Sequence, residues 1–387
     1  GTAPEIRNGS WNPTQIMKIG FVRRGHSATG GAEAYLMRAA AALRGLGQET
    51  SLITTSDWPA EKWPCGDIVR LPGKSLDEFA CAFRESQTGC DVHFSLERVP
   101  GCDVFRAGDG VHAAWLQRRD GFDPVWKRLT RWINRKHAQI LRLEREVFDP
   151  ANTKAIIANS KMVRDEILAR FPFPTDQVHV IYNGITPSSR APSRAEARQI
   201  WNIDDKTFCP LFLGTGWERK GLATAIRAAD CLEDTTLLVA GRGVADRYRG
   251  TNVRFLGSVK DIASLFAVSD ILVLPTWYDP FSNACLEGLA AGLPVITTDA
   301  NGFSEIIERG VHGDITSPGD ASELAYVLES WRGNARCAEA REACLQLASQ
   351  FSIEKNAAET LRVLQSVRAT SPKVEIVSSS DSFNSKN

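Results

Sequence analysis

The sequence is short of several features that would assign it to other protein classes. No uninterrupted apolar run approaches the roughly 18 residues of a membrane-spanning helix, and no basic segment followed by an apolar stretch opens the chain as a secretory signal. Neither sign of charge is in excess, since 46 Lys and Arg balance 46 Asp and Glu. This balance argues against a general nucleic-acid-binding protein, which normally carries a basic excess.

Paired cysteines are also missing. The nine cysteines are scattered, none forms a Cys-x-x-Cys pair, and no Cys/His spacing is typical of zinc. We therefore expect free, mostly buried thiols in a reducing, cytoplasmic compartment, and no metal ligand set.

What the chain does contain is ample apolar material. It has 387 residues, 43% of them apolar, which predicts two or three domains with a sizeable core. Residues 1–16 differ in character from the strand-like run that begins at Met17 and are expected to be a leader outside the fold. Residues 371–387, rich in Ser, Asn and Lys, are expected to form a disordered tail.

Between these ends, short apolar runs alternate with helical patterns. This alternation predicts an α/β protein with parallel sheets covered on both faces. A Gly-, Pro-, Ser- and Arg-rich stretch at 182–198 is a predicted linker, and it divides the chain into domains at 17–185 and 186–352. The predicted strands are Ile19–Val22, Glu49–Thr54, Ala155–Ala158, Val178–Tyr182, Cys209–Leu213, Thr236–Ala240, Val253–Leu256, Ile271–Leu274 and Pro294–Thr298. The predicted helices are Ala32–Leu46, Met162–Arg170, Leu222–Leu232, Ile262–Val268, Ala284–Ala291 and Ala321–Leu328.

The strongest functional motif is W-Y-D-P-F-S-N-A-C-L-E-G-L-A-A-G at 277–292, which joins a strand to a helix. Asp279 lies in the loop, and Glu287 lies in the helix eight positions later. The amides of Phe281–Asn283 are expected to be free at the helix N-terminus, where anions bind. Two carboxylates flanking an anion site suit a nucleotide sugar. An N-capped surface helix with incidental acids is the alternative.

A second loop, G-T-G-W-E-R-K-G at 214–221, also joins a strand to a helix. It lacks the third glycine of a dinucleotide fingerprint, so it is weak evidence for a nicotinamide cofactor. Arg219 and Lys220 would supply positive charge for a diphosphate. A solvated basic pair remains the alternative.

Two glycine-rich segments of the N-terminal half are further candidates. Gly30 and Gly31 open the first long helix and allow a ligand to approach the backbone closely, although a plain turn explains them equally well. The stretch 100–112 holds Asp109 and His112 where a cleft is expected, but a lone histidine is more often structural.

These motifs together resemble one family. D-P-F-S-N-A-C-L-E followed by G-L-A-A-G-L-P-V-I-T-T resembles the E-x7-E signature of the retaining GT-B glycosyltransferases of family 4. G-W-E-R-K-G-L resembles that family's donor-phosphate loop, and G-G-A-E its N-terminal glycine loop. S-L-E-R-V-P-G-C-D-V-F-R-A-G-D-G is similar to the lipopolysaccharide core glucosyltransferase I branch. The likeness runs from about Met17 to Arg368, with one departure: Asp279 stands where the family usually has glutamate.

The resemblance implies two doubly wound, Rossmann-like domains that face a cleft. It also implies a final helix at 353–370 that crosses back to the N-terminal domain, and an activity that moves a hexose from a nucleotide-diphosphate sugar, such as UDP-glucose, to a saccharide acceptor. The acceptor would be lipopolysaccharide core or another lipid-linked glycan.

The same resemblance implies roles for particular residues. Glu287 would bind the ribose hydroxyls of the nucleotide and Asp279 the hydroxyls of the transferred hexose. Arg219 and Lys220 would neutralise the diphosphate leaving group, while Asp109 and His112 would lie near the acceptor. The remaining donor contacts would come from Phe281, Ser282 and Asn283 at the hexose and distal phosphate, from Gly30 and Gly31 at the diphosphate, and from Gly257, Ser258, Val259 and Lys260 at the uracil edge.

Charge predicts how such a site would work. Breaking a sugar–diphosphate bond places negative charge on the departing phosphate, which Arg219, Lys220 and the helix N-terminus would stabilise. The sequence contains no D-x-D, the usual metal handle of the GT-A architecture. We therefore expect neither metal nor cofactor.

Other functions stay open at this point. A nucleotide-sugar epimerase or a hydrolase could share the fold, and a phosphorylase could too, although no lysine motif for pyridoxal phosphate is found. A non-catalytic sugar-nucleotide-binding module is the alternative outside enzymes.

One charged segment suggests a membrane surface as a partner. Residues 118–145 hold nine basic and three acidic residues. Trp126, Leu129, Trp132 and Ile133 recur there at helical spacing, as in helices that lie on anionic lipid. Packing of the tryptophans into the N-terminal core, with solvated arginines outside, is the alternative.

Overall fold

The computed structural model describes residues 16–26, 31–124, 128, 134–186, 191–332 and 334–370. In these segments thirteen strands alternate with twelve α-helices, and nearly all of the expected leader and the whole of the expected tail lie outside them. The strands are β1 (Lys18–Val22), β2 (Glu49–Thr54), β3 (Asp67–Arg70), β4 (Val92–Ser95), β5 (Val104–Ala107), β6 (Ala155–Ala158), β7 (Val178–Val180), β8 (Pro210–Leu213), β9 (Leu237–Ala240), β10 (Val253–Gly257), β11 (Ile271–Leu274), β12 (Val295–Thr298) and β13 (Gly313–Thr316). The helices are α1 (Gly31–Gly45), α2 (Leu76–Glu85), α3 (His112–Arg119), α4 (Arg135–Val147), α5 (Lys161–Leu168), α6 (Arg194–Trp201), α7 (Leu222–Asp230), α8 (Ile262–Val268), α9 (Asn283–Ala290), α10 (Ala321–Trp331), α11 (Asn334–Ser349) and α12 (Ile353–Thr370).

The strands form two parallel sheets. The N-terminal sheet has the order β3-β2-β1-β4-β5-β6-β7, and the C-terminal sheet has the order β10-β9-β8-β11-β12-β13. Central strands such as Ile271–Leu274 are buried on both faces, as parallel strands between helical layers must be. The predicted α/β class with two doubly wound domains is confirmed.

Four strands are missing from the sequence prediction. β3 and β13 begin with Asp67 and Gly313 and lie at sheet edges, where apolar character is weak. β4 and β5 each contain a polar residue, His93 and Arg106, within a run of only four. β5 falls inside the segment that we expected to be a glycine-rich loop, so that expectation is wrong for residues 104–107.

The predicted linker is shorter than expected. Ser193 accepts a hydrogen bond from the Glu196 amide, and the Glu196 side chain accepts one from the Ser193 amide. This capping box starts α6, which takes the last five positions of the stretch at 182–198. After it, the chain enters the C-terminal sheet at β8.

Helix α12 belongs to the N-terminal core although it follows the C-terminal sheet. It packs on α1, and its Ile353, Ala357 and Leu364 are buried in the cluster that holds Phe21 and Phe94. The Tyr35 hydroxyl donates to Asn356 of α12 at 2.9 Å.

Crossover handedness places the C-terminal helices on two faces. Right-handed crossovers put α7 on one face, because the chain moves outward from β8 to β9 and β10. They put α8 and α9 on the other face, because the chain then returns to β11 and continues to β12. The packing agrees, since α7 contacts α10 and α9 contacts α11.

Candidate functional site

A buried ion-pair cluster lies where β8 and β11 end. Lys220 Nζ is 3.1 Å from Asp279 Oδ2, and Arg219 NH1 is 3.8 Å from the same oxygen. Burial alone would raise the pKa of Asp279, but the two cations outweigh burial and hold that pKa below its ordinary value. The structure thus brings three of the predicted site residues into contact. The engagement of the carboxylate by both cations was not predicted.

The loop that carries Arg219 is tied to the loop that carries Asp279. Arg219 NH1 donates to the Tyr278 carbonyl at 2.6 Å, and the Arg219 carbonyl accepts from the Trp277 amide at 2.9 Å. Arg219 is therefore preorganised by backbone contacts between two neighbouring strand ends, and Lys220 by its contact with Asp279. About a third of the Arg219 side chain remains exposed, so it can meet a ligand.

The N-terminus of α9 offers fewer free amides than expected. The Ser282 amide donates to the buried Asn301 side chain at 3.2 Å, and the Phe281 backbone helps to lower the pKa of Asp279. The expectation of a free amide is wrong for Ser282, because the Asn301 side chain already accepts from it. In the part of the chain that the structure describes, the Asn283 amide has no such partner.

Glu287 lies in the second turn of α9 and faces the N-terminal half. Its carboxylate is 3.8 Å from Arg38 NH1 of α1, and its side chain is 38% exposed. Desolvation raises the pKa of Glu287, while Arg38 and Lys220 oppose the rise. A partly dehydrated carboxylate with an exposed face can accept hydrogen bonds from vicinal hydroxyls.

The other expected donor contacts are placed in several elements. Gly257 ends β10 instead of coming after it, and its carbonyl accepts from Gly241 at 2.7 Å. Ser258 and Lys260 are exposed and Val259 packs on the core. Gly30 lies outside the described residues, and Gly31 begins α1.

The opposite wall of the cleft is acidic. Asp109 is exposed after β5 and acts electrostatically on both Arg23 and Glu97. Arg23 NH2 lies 3.0 Å from Glu33, and Glu97 accepts from the Arg24 amide at 2.7 Å. Burial raises the pKa of Glu97 even though Arg23 opposes it.

Arg23, Glu33 and Glu97 were not among the predicted site residues. The available signal was their position, because each follows a strand end or opens the first helix. Glu97 also lies within the S-L-E-R-V-P-G run that carried the resemblance.

His112 is held by its neighbours. Its Nε2 is 3.0 Å from His137 Nδ1, and its amide donates to the buried Glu144 at 2.6 Å. Burial and the nearby cations lower the pKa of His112 to about 4, so the ring is neutral near pH 7. It starts α3 where a loop was expected, and a base with so low a pKa is a poor proton acceptor.

Two side chains of the C-terminal half bridge to the N-terminal half. Tyr278 Oη donates to Glu166 at 2.8 Å and accepts from the Val111 amide at 3.0 Å. The backbone at Gly110, which has φ +69°, lies very close to the Tyr278 hydroxyl, since a Cβ at this position would be 2.3 Å from Oη. Desolvation, reinforced by Glu166, raises the pKa of Tyr278 well above its ordinary value.

The second bridge is made by Glu305. Its carboxylate accepts from the amides of Lys161 and Met162 at 2.8 and 2.6 Å and from the Tyr182 hydroxyl at 3.0 Å. It thus caps α5 from the other domain.

A polar chain also links the start of α9 to the N-terminal core. Asn183 Nδ2 donates to Asn283 Oδ1 at 2.7 Å, and its Oδ1 accepts from Arg106. The Arg106 guanidinium lies 3.6 Å from the centre of the Tyr35 ring. Asn183 was missed, although Y-N-G directly after a strand pointed to a loop residue.

Neither a metal-binding cluster nor a membrane-spanning helix is found in the described segments. They contain no group of three His, Cys, Asp or Glu residues able to hold a metal ion. They also contain no helix with the length and apolar character needed to cross a membrane. All nine cysteines are free, and five of them are buried.

Comparison with known proteins identifies both halves of the chain. Residues 209–331 match the family described as glycosyl transferases group 1, and residues 106–189 match glycosyltransferase family 4. An uncharacterized glycosyltransferase of Methanocaldococcus jannaschii is 31% identical over 46% of this chain, and the match spans 51% of its own length. Lipopolysaccharide glucosyltransferase WaaG of Escherichia coli is 24% identical over 83% of this chain and 93% of its own.

Solved structures match almost the whole fold. The crystal structure of WaaG, a glycosyltransferase involved in lipopolysaccharide biosynthesis, has a TM-score of 0.75 at 20% identity, over 89% of this chain and 99% of that one. HepE of Anabaena, solved in complex with UDP-glucose, has a TM-score of 0.69 at 20% identity, over 90% of this chain and 100% of that one. These likenesses show that the architecture is the GT-B fold.

Proposed function

Because the chain belongs to the GT-B glycosyltransferases, with family 4 and group 1 domains, we propose that it transfers a hexose from UDP-glucose to a saccharide acceptor and retains the anomeric configuration. The acceptor that we propose is lipopolysaccharide core or another lipid-linked glycan. This choice rests on the likeness to WaaG, and the choice of donor is supported by the UDP-glucose bound to the Anabaena protein of the same fold.

The observation that carries the proposal is the convergence of Arg219, Lys220 and Glu287 at adjoining strand ends. Both cations lie against the Asp279 carboxylate, and Glu287 lies one helix turn away from the Asn283 amide. Cations suit a diphosphate, and a carboxylate with an exposed face suits ribose hydroxyls. Ligands of doubly wound sheets bind at these carboxyl ends.

The proposed reaction breaks the bond between the anomeric carbon and the diphosphate oxygen. The acceptor hydroxyl oxygen forms the new bond on the same face of the sugar, and its proton passes to the departing phosphate oxygen. Negative charge on that phosphate is stabilised by Arg219, Lys220 and the Asn283 amide, which is the electrostatic contribution that dominates most enzyme catalysis. We assign no enzyme nucleophile, because Asp279 is already engaged by both cations.

Asp279 has a positioning role in this proposal. Its carboxylate accepts from Lys220 Nζ at 3.1 Å, and the Phe281 backbone at the start of α9 helps to keep that carboxylate charged by lowering its pKa. Contact with the hexose hydroxyls, which the family resemblance implies, would use the carboxylate oxygen not bound by Lys220.

The decisive experiment measures UDP release and product formation with UDP-glucose that carries a radiolabel in the sugar. Transfer of label to a core oligosaccharide supports the proposal, and the anomeric linkage of the product, read by NMR, tests retention. Free labelled glucose without acceptor product would indicate a hydrolase. A changed sugar still bound to UDP would indicate an epimerase. Binding of UDP-glucose without any turnover would indicate a binding module.

Metal independence is tested in the same assay. We propose that the two cations replace a divalent ion, so EDTA should leave the rate unchanged. Loss of activity in EDTA and its return with magnesium would contradict the proposal.

We also propose that the protein works at the cytoplasmic face of an anionic membrane through residues 118–145. The apolar stripe of this segment, formed by Trp126, Leu129, Trp132 and Ile133, lies outside the described residues. Among the described basic residues, Arg118 pairs with Glu166, Arg119 with Asp123, and Arg142 with Asp77 and Glu146. This leaves four exposed basic residues without an ion pair to any described residue, and these are best suited to lipid: Arg128, Arg135, Lys136 and Arg145.

Vesicle co-sedimentation tests this surface. We expect binding to anionic but not to neutral liposomes, weakened by salt and by K127E/R128E/R131E, since each basic residue near such a surface contributes about 1 kcal/mol. Charge reversal at Arg227, a C-terminal arginine distant in sequence, is the matched control. Equal binding to both lipids, or binding to neither, would contradict the proposal.

A further inference from the structure

A cavity of about 330 Å³ lies between the two domains beside the proposed reaction centre. Its N-terminal wall comes from α3 and the residues after it, and its C-terminal wall comes from the loops after β8 and β9. The lining that matters here consists of four arginines and two half-buried rings, namely Arg119, Arg219, Arg242, Arg247, Trp115 and Tyr248.

Within the described residues, only two of the four arginines form an ion pair with a carboxylate that offsets their charge. Arg119 NE is 2.9 Å from Asp123, and Arg219 is 3.8 Å from Asp279. Arg242 and Arg247 are exposed, and neither has an ion pair with any of the described residues. The same wall also holds the exposed carboxylate of Glu218, so its two exposed guanidinium groups outnumber its one carboxylate. A guanidinium binds phosphate or carboxylate with two parallel hydrogen bonds.

The loop that carries Arg242 is fixed in place. A Cβ at Gly243 would lie 2.3 Å from the Trp217 ring, so only glycine allows this backbone to rest on the indole. The Trp217 indole donates to the Gly214 carbonyl at 3.0 Å, which ties it to the diphosphate loop. Arg242 is thus held on a rigid support that is continuous with Arg219 and Lys220.

The cavity lies on the face of the C-terminal sheet opposite to the helices that adjoin the expected nucleotide contacts. The loops that line the cavity adjoin α7. Glu287 belongs to α9, and residues 258–260 precede α8. Right-handed crossovers place α8 and α9 on the face opposite to α7. The cations Arg219 and Lys220 separate the two sides. A molecule in the cavity would therefore approach the donor sugar from the side opposite to the ribose.

We propose that this cavity is the acceptor subsite and that it selects a saccharide carrying an anionic group, a phosphate or a carboxylate. The inference rests on the proposed glycosyl transfer and adds to it the charge of the acceptor. Arg242 and Arg247 bind the anionic group, and the rings of Trp115 and Tyr248 receive the apolar C–H face of a sugar ring, as aromatic side chains do in pockets that orient ligands. Arg219 lines both this cavity and the diphosphate site, so it marks where acceptor and donor meet.

The test compares the double variant R242Q/R247Q with the wild-type chain. The probes are a lipid-free core oligosaccharide carrying phosphate and carboxylate, the same oligosaccharide after alkaline phosphatase, and the same oligosaccharide after chemical reduction of its carboxyl groups. R249Q is the matched control, because Arg249 is an exposed arginine of the same loop that does not line the cavity.

Two readouts are needed. The first is kcat/KM for transfer, and the second is binding of each oligosaccharide followed by tryptophan fluorescence without donor. We expect the double variant to lose about tenfold or more of both for the anionic acceptor, because charge-assisted hydrogen bonds are lost. The oligosaccharide that lacks the recognised group should bind wild type and variant equally weakly, and this tells phosphate from carboxylate. R249Q should match wild type throughout.

The outcomes separate this inference from the proposed function. Transfer by wild type with equal efficiency to charged and uncharged acceptors, unchanged in R242Q/R247Q, would overturn the anionic subsite and leave glycosyl transfer standing. Selective binding of the anionic oligosaccharide without any transfer would support the subsite and overturn the function. A loss of UDP-glucose affinity in R242Q/R247Q, with acceptor binding unchanged, would assign the arginines to the donor and overturn the inference.

Discussion

The two sheets present opposite charge patterns to the cleft. At the C-terminal sheet, Arg219 and Lys220 surround one buried carboxylate, Asp279. At the N-terminal sheet, three carboxylates, Glu97, Glu33 and Asp109, act on Arg23, and Arg24 acts on Glu97. We call the pair Arg219 and Lys220 the cationic wall and the three carboxylates the acidic wall.

This difference in charge suggests which sheet would bind the donor and which would orient the acceptor. A departing diphosphate needs fixed positive charge, and short strand-to-helix loops of one sheet can supply it from consecutive residues. In the proposed reaction an acceptor hydroxyl is oriented by hydrogen-bond acceptors, and the candidates are Glu97 and Asp109 after two strands and Glu33 in the first turn of α1. Removing charge at Arg219 or Lys220 should therefore impair use of the donor, whereas removing charge at Asp109 should impair use of the acceptor.

The largest effect is expected from K220M on the cationic wall. Loss of a preorganised charge should lower kcat/KM by about 10²–10³. The substitution should also lower the melting temperature, because the buried Asp279 carboxylate is then paired only with the more distant Arg219. Exposed Lys206, changed to Met, is the matched control.

A second variant separates the two consequences. K220M/D279L removes both buried partners and should regain stability, because well-packed apolar residues can replace a buried pair. Its activity should stay low. Recovery of activity together with stability would show that Lys220 acts only through the fold.

The next effect concerns Glu287 and carries a pH signature. E287Q should raise the donor KM about tenfold or more and also lower kcat, since nucleotide binding orients the reacting carbon. The raised pKa of Glu287 means that donor affinity falls on acidification from a higher pH than an ordinary glutamate would give. Isothermal titration of UDP-glucose, whose diphosphate diester does not titrate between pH 4 and 8, measures this, and the affinity of E287Q should change less with pH than that of wild type.

The same shift predicts a stability change of opposite sign. A carboxyl whose folded pKa is raised favours the fold at low pH and loses that contribution as the pH rises through its pKa. E287Q should therefore be as stable as wild type or more stable at pH 7, with the difference vanishing in acid. A variant less stable than wild type at pH 7 would place Glu287 among the structural residues.

A smaller effect is expected from D109N on the acidic wall. Because Asp109 is exposed and its partners stay in place, the protein should fold normally and bind UDP as before. Transfer to the acceptor should fall about tenfold, while UDP-glucose hydrolysis to water should not change. A parallel loss of UDP binding would break the division between the walls.

The smallest effect is expected at the bridges between the walls. Y278F removes the hydrogen bonds to Glu166 and the Val111 amide and should change kcat only a few-fold. If closure of the cleft about the segment at 182–193 organises the reaction, small-angle scattering should show compaction on adding UDP-glucose in wild type and a larger compaction in Y278F. Identical profiles with and without donor would exclude closure.

Sequence predicted the cationic wall better than the acidic wall, and the reason is physical. Arg219, Lys220, Asp279 and Glu287 lie in two contiguous loops, where spacing alone brings them together. Glu97 and Arg23 meet only because β1 and β4 are neighbours in the sheet, which no local pattern encodes. The engagement of the Ser282 amide by Asn301 depends likewise on two separate strand ends.

The elements of the fold were also predicted best where a contiguous stretch of sequence carries the signal. Strands buried on both faces, such as Ile271–Leu274, are evident as apolar runs, whereas the edge strand at Gly313–Thr316 is not. Helix α6 was hidden because its capping box lies in a Pro- and Ser-rich stretch that has the composition of a linker. A capping pattern S-x-x-E at Ser193–Glu196 was the available signal.

The docking of α12 on α1 has a consequence for synthesis on the ribosome. Domains generally fold as they emerge, first part first. Here the N-terminal core lacks the apolar face of Ile353–Thr370 until that helix has been synthesised. The cluster around Phe21 is therefore completed only after the whole C-terminal sheet has left the ribosome. The part of the chain that is translated second can thus complete its core first, and a ribosome that stalls before residue 353 would release a finished C-terminal half joined to an uncovered N-terminal one.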